Sequence, residues 1–166
     1  MPSFNTAGGS DTFLHVQAKR AGKIKGEATS EGHVDDIAVV SWNWGVSASS
    51  SIGSTGATAR RSYKSLSVHK TIDSASTGLL NALVSNDELR EVTLSMRKAG
   101  EGQQDYFRLT LKGARVGSID IDTDQSGSTL ERVTINFTEV DIEYRIQQSA
   151  GSRGGAYTFN DQILPA

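Results

Sequence analysis

The chain has no cysteine. That excludes a disulfide scaffold, thiolate metal sites and cysteine nucleophiles. It leaves the compartment open, because a secreted protein of this size needs no disulfide. Long hydrophobic runs are also missing. Ile37–Val40 is a short apolar stretch, against the roughly 18 residues that a membrane-spanning helix needs, so membrane insertion is not expected. Met1–Gln17 lacks the apolar core of about 7–15 residues that marks a secretory signal peptide, so any export is expected to use a route without a cleaved signal. Neither sign of charge dominates. Seventeen Lys and Arg oppose 19 Asp and Glu, for a net charge of −2. A nucleic-acid binder would carry a basic patch and a high isoelectric point, so nucleic acid is not an expected partner. With 36% hydrophobic and 22% charged residues, the chain also lies outside the disordered class.

What is present points to one β-rich domain spanning residues 1–166. Leu14 and Val16 alternate with polar neighbours. From Asp36 to Ser47 the alternation puts Val40, Trp42, Trp44 and Val46 on one face and Ser41, Asn43, Gly45 and Ser47 on the other. Residues 48–62 are small, polar, glycine-bearing and without period, which predicts a long loop, either a floppy one or an arm that orders against a partner. Strand character returns from Tyr63 to Ile72. Leu79, Leu80, Leu83 and Val84 then fall at helical spacing and predict a helix over about 74–85 with these four on its core face, started by Asp73, Ser74 or Ser76 and ended near Asn86–Asp87. Two long strands follow. In Tyr106–Ile121 the apolar positions run Phe107, Leu109, Leu111, Val116, Ile119, Ile121. In Leu130–Ile146 they move from odd numbers (Val133, Ile135, Phe137) to even ones (Val140, Ile142, Tyr144, Ile146). The shift implies a β-bulge near Thr138–Glu139, and Gly113 and Gly117 are bend points in the partner strand. Long strands that change face partway suit a sheet closing into a barrel.

Few residues carry chemistry. His15, His33 and His69 are scattered, without metal-ligand spacing, and no nucleophile elbow, phosphate loop or dinucleotide fingerprint occurs. Asp120, Asp122, Asp124 and Glu131 match four positions of an EF-hand loop. Gln125 stands where that loop needs glycine, and the flanks have strand period, so a solvated acidic turn is the expectation. A hydrolase reading of the same acids lacks an environment that would split their pKa values. Trp42 and Trp44 share a face and are expected to pack on the core. Their exposure would instead suggest a carbohydrate-binding β-barrel. No catalytic residue, metal or cofactor is expected.

Six segments in order carry a resemblance. DDIAVVSWNWGVS (Asp35–Ser47), IKGEATSEGHVDDI (Ile24–Ile37), LSVHKTIDSASTGLLNAL (Leu66–Leu83), VTLSMRKAG (Val92–Gly100), YFRLTLKGARVGSI (Tyr106–Ile119) and LERVTINFTEVDIEYRIQ (Leu130–Gln147) resemble the haemolysin-coregulated protein (Hcp) family of bacterial type VI secretion systems. The resemblance implies a mainly β fold, a small barrel of two sheets flanked by one α-helix. It implies a non-enzymatic subunit of homo-hexameric rings that stack into an inner tube. A contractile sheath would expel that tube under a spike protein, with effector proteins carried in the ring lumen. A phage-type tail-tube subunit shares this plan and is the alternative. If the tube reading holds, Ser41, Asn43 and Ser47 are the expected lumen and cargo residues. Arg60, Arg61, Asp122 and Asp124 lie in segments expected to meet neighbouring subunits or rings, and both segments depart from the family's glycine-rich pattern there.

Overall fold

The computed structural model describes residues 10–49, 60–98, 104–147 and 153–163. In chain order the elements are β1 (Ser10–Ala18), β2 (Gly22–Lys23), β3 (Ile37–Val39), β4 (Ser41–Asn43), β5 (Val46–Ser49), β6 (Arg60–Tyr63), β7 (Leu66–Lys70), α1 (Ala75–Val84), β8 (Leu89–Lys98), β9 (Asp105–Thr123), β10 (Thr129–Asn136), β11 (Glu139–Gln147) and β12 (Arg153–Gln162). Ten strands form one continuous sheet bent into two limbs, with β5 and β6 apart as a two-stranded ribbon. The first limb holds β2 and β3 on β1, then β8, the first part of β9, β11 and β12. The second holds the last part of β9, then β10, β7 and β4. The expected mainly β class with two layers and one helix is observed. The closed barrel is not: β12 and β4 each pair on one side only.

The bend is written into β9. Leu109 and Leu111 are buried at odd positions, Ala114 and Val116 at even ones, and Ile119 packs on the core at an odd position again. Two glycines make these changes of face. Gly113 has φ +56°, where a β-carbon is disfavoured, and one built there would overlap Thr138 Oγ1. At Gly117 the β9–β10 register slips by one residue, between Thr134 and Ile135. The bulge therefore lies in the partner strand opposite Thr134–Ile135, and not at the expected Thr138–Glu139. At Phe137–Thr138 the chain instead leaves β10 and enters β11, with the Thr138 amide bonded to Lys112 O at 3.1 Å.

A second crossing corrects the reading of residues 36–47 as one strand. β3 pairs with β1 in the first limb, whereas β4 pairs with β7 in the second. Changing limbs at Val40 changes the inward parity. Ile37 is fully buried and Val39 packs on the core, then Trp42 and Trp44 do so, while Val40 and Val46 are exposed.

The helix lies within the expected range, but its buried face is Ala75, Ser76, Leu79 and Ala82. Leu80 and Val84 point outward, because each lies one residue out of phase with the buried 75, 79, 82 stripe. Asp73 Oδ1 accepts the Ala75 amide at 2.9 Å. At the other end Asn86 adopts φ +55°, its amide bonds to Leu83 O and the Asp87 amide to Ala82 O, a Schellman stop. Asp87 then turns back to accept the amides of Arg20 and Ala21 at 3.2 Å each. Burial opposes its charge, but those two amides and the Arg20 guanidinium hold its carboxyl below the usual range.

Beneath the helix start lies a buried ion pair. Lys70 of β7 and Glu131 of β10 are both fully buried. Lys70 Nζ donates to Glu131 Oε2 at 2.8 Å and lies 2.9 Å from Asp73 Oδ1, while the Ser76 hydroxyl donates to the same Glu131 oxygen at 2.7 Å. Helix and second limb are thereby fixed in one register. Removing one partner of a buried pair costs about 3–5 kcal/mol. Glu131→Ala should lie toward the lower end in urea unfolding, since Asp73 still faces Lys70. Replacing both, as Lys70→Met with Glu131→Leu, should recover most of the loss. A single substitution costing under about 1 kcal/mol would show that the pair is not uncompensated when broken.

Candidate functional site

The two limbs turn different outer faces to solvent. Across the first limb the outer rows are charged: Glu91–Lys112–Glu139 and Ser95–Arg108–Glu143–Thr158 follow from the register. Across the second limb they are polar, one row with an ion pair and one of small side chains. One row reads Ser41–His69–Arg132–Asp120 and the next Asn43–Ser67–Thr134–Ser118. Ser118 and Thr134 share a hydrogen bond of 2.6 Å, and Arg132 reaches Asp120 at 3.5 Å. The His69 Nδ1 atom is buried without a partner.

Of the three expected lumen residues, Ser41 and Asn43 lie exposed on this face, on the edge strand β4. They stand opposite Trp42, which pairs with the buried Val68. Ser47 is elsewhere. It belongs to the β5–β6 ribbon, facing Ser62. The ends of the expected 48–62 loop are thus paired strands, and 50–59 lie outside the described residues. Both tryptophans are half-buried against the core. Trp42 stacks on Phe107 at 5.9 Å, and Trp44 lies 5.7 Å from Tyr63 and 6.4 Å from Phe137.

The ribbon exposes nearly every residue, Tyr63 excepted. A two-stranded ribbon is marginal in water by itself, and this one is anchored at its base. Arg61 Nε and the Tyr63 hydroxyl both donate to Asp161 Oδ2 of β12 at 2.5 Å, and Arg61 Nη2 donates to Asp161 Oδ1 at 3.1 Å. Of the four expected contact residues, Arg61 is therefore engaged within its own chain and Arg60 is exposed. Asp124 is also engaged: its Oδ1 accepts the amides of Ser126 and Ser128 at 2.9 and 3.0 Å. Asp122 is exposed near the tip of the β9–β10 hairpin. The EF-hand pattern dissolves in the same way, since Asp120 faces Arg132, Asp124 closes its own turn and Glu131 is buried on Lys70. Among the described residues no group of three or more His, Cys, Asp or Glu side chains is placed to hold a metal ion.

Sequence reasoning missed three features. Asp161 has no local signal, because its partners lie about a hundred residues upstream. The inner face of β11–β12 runs past the second limb and leaves Tyr144, Tyr157 and Phe159 exposed, with Tyr144 and Tyr157 stacked at 6.4 Å. His15 and His33 converge on Asp36, and His33 also reaches Asp105 at the start of β9.

Comparison with known proteins settles the family. Residues 13–144 match the model described as type VI secretion system effector, Hcp. The chain belongs to the Hcp family. Protein hcp1 of Pseudomonas aeruginosa is 34% identical over 151 residues, covering 87% of this chain and 89% of that one. A solved structure described as a type six secretion system protein superposes with a TM-score of 0.80 at 21% identity, covering 93% of this chain and 96% of that one. Hcp1 from Salmonella typhimurium superposes at 0.74 with 24% identity over the same shares. This is therefore an Hcp tube protein of a type VI secretion system. A non-enzymatic, secreted protein is consistent with that family. Among the described residues no helix is long and apolar enough to cross a membrane.

The Asp161 anchor generates a prediction. The Tyr63 hydroxyl first, and the Arg61 guanidinium after it, hold the Asp161 carboxyl below the usual range, against the opposing effect of burial. A depressed carboxyl stabilises above its ordinary range and loses that contribution as pH falls through its folded value. Proteolysis between residues 49 and 60 should therefore accelerate on acidification. Asp161→Asn should give that faster cleavage already at neutral pH, with the core melting temperature little changed. Equal cleavage of variant and parent would show that the ribbon is held by something else.

Proposed function

We propose that this Hcp protein forms rings of six copies that stack into the inner tube of its secretion machine, with the outer face of the second limb turned to the lumen. The observation that carries the reading is the polar lattice on that face, in a chain of this family. Its hydroxyl and amide groups hydrogen-bond to water and to varied protein surfaces without an apolar grip that would trap a passenger. Asn43 and Ser41 stand at its β4 edge, so lumen contact with effector proteins falls to them together with Ser67, His69, Arg132 and Thr134. Ser47 would act from the ribbon instead.

A ring needs head-to-tail contacts between two different surfaces of each subunit. The open edge of β12 with Tyr144, Tyr157 and Phe159 beside it supplies one apolar surface. The ribbon supplies a projecting arm, with Arg60 available to a neighbouring subunit or ring. Asp122 is available at the hairpin tip, whereas Arg61 and Asp124 contribute by shaping their own segments. Contractile sheath and tip spike are the partners of the assembled tube, and export with the machine accounts for delivery outside the cell.

Light scattering on a sizing column, with negative-stain images of the peak, tests the ring. Six times the 17.7 kDa chain mass with open rings is expected, and a stable monomer overturns it. Asn43→Arg should leave ring mass unchanged and abolish retention of co-expressed effectors; retained cargo would remove Asn43 from the lumen. Deleting 48–62 should leave a folded subunit and weaken stacking.

A further inference from the structure

We propose that His33 is a protonation-dependent latch that closes the 28–36 loop over the outer face of the first limb. The loop is ordered mainly by bonds to itself and to its own approach. The Ala28 amide reaches Asp36 O, the Asp35 amide Ala28 O and the Gly26 amide Asp35 O, at 2.9–3.0 Å. Across the gap to β8 and β9, the described residues that hold it include His33 and Arg97. The His33 ring is buried and lies flat on Phe13 of β1, with centroids 4.3 Å apart and planes 8° from parallel. Its Nδ1 is 3.0 Å from Asp36 Oδ2 in the loop and its Nε2 is 2.8 Å from Asp105 Oδ1 at the start of β9. Arg97 of β8 adds a bond from Nη1 to Glu31 O at 3.0 Å, and its guanidinium lies 5.2 Å from the Phe13 ring.

The proton count makes this a switch. Ionised carboxylates only accept hydrogen bonds, so both contacts exist together only when both ring nitrogens carry a proton. The other charged groups around the ring leave that demand in place. Asp36 Oδ1 is taken by His15 Nδ1 and Lys23 Nζ, at 3.1 Å each, and Asp105 Oδ2 by Arg108 Nη2 at 3.2 Å. Asp11 faces Arg97, 4.0 Å away. Each carboxylate thus has its own permanent cation on one oxygen and depends on His33 at the other. Burial works against the Asp36 charge, but His33, His15 and Lys23 hold its carboxyl below the usual range. When the ring keeps one proton, a lone pair faces a buried carboxylate oxygen, one bond is lost and the loop opens. Phe13, nearly buried on an outer face, is then uncovered.

The test is amide hydrogen exchange on the full-length protein from pH 5 to 9, expressed as protection factors, with ¹⁵N shifts of the His33 ring followed in parallel. Protection at Ala28, Asp35 and Asp36 should fall on the order of tenfold as the ring loses its second proton, while Leu109 and Val133 stay protected. His33→Gln should give a loop with low protection that does not vary with pH. Asp105→Asn should keep the loop closed at high pH, because a carboxamide can donate to a neutral ring, and it decides the matter if the glutamine variant fails to fold. His15→Gln should retain the response. A ring with one proton across the whole range, or loop protection that does not change with pH, overturns the latch.

Discussion

One strand has to serve two limbs, and the rest of the structure depends on how it does so. Nineteen residues of β9 lie in a single strand, yet its first part pairs with β8 and β11 and its last part with β10. A pleat cannot change its inward face without a break in alternation. Gly113 and Gly117 supply two such breaks, and only the first needs a left-handed backbone. Thr138 fills the space that the missing β-carbon leaves. It does so where the partner chain itself crosses from β10 to β11, so the two long strands bend at the same level. The core between the limbs exists because of that coincidence.

Buried charge does the remaining positioning. Lys70 and Glu131 join β7, β10 and the start of the helix, while Asp87 ties the helix end to the β1–β2 turn. Such pairs add little net stability over apolar residues of the same size, but each is costly to half-remove. The Glu131 Oε1 atom has no partner, so the pair is held from one side, by Lys70 and Ser76. His33 belongs to a different kind of cluster, in which one imidazole spans a loop and a strand.

The surfaces that the proposed ring would use follow from incompleteness. The second limb is narrower than the first, so the inner face of β11–β12 lacks a cover and its aromatic residues meet solvent. Among the described residues the ribbon is tied down at its base, by Asp161 and by the Tyr63 ring against Trp44 and Phe137. The outer face of the second limb carries one row of small hydroxyl and amide side chains beside a row that holds the Arg132–Asp120 pair. An uncovered aromatic strip, a projecting ribbon and a polar outer face are the surfaces that the proposed ring would use.

Much of this was legible in residue order. Alternation around Trp42, Asn43 and Trp44 determined which of them face inward, because neighbours in a strand point oppositely whatever packs on them. Helical spacing located α1, and the odd-to-even shift between Phe137 and Val140 marked a break in the pleat, which is a crossing between limbs and not the expected bulge. The sequence could not say which of Leu79, Leu80, Leu83 and Val84 is buried, since that depends on which side of the helix the sheet covers. Nor could it join Asp161 to Arg61, Glu131 to Lys70 or His33 to Asp105. Local order determined the period and facing of each strand, through bonds a few residues long. Tertiary structure alone decided the limb change at Val40, the open edges and every charged cluster, because those partners meet only after distant strands have paired.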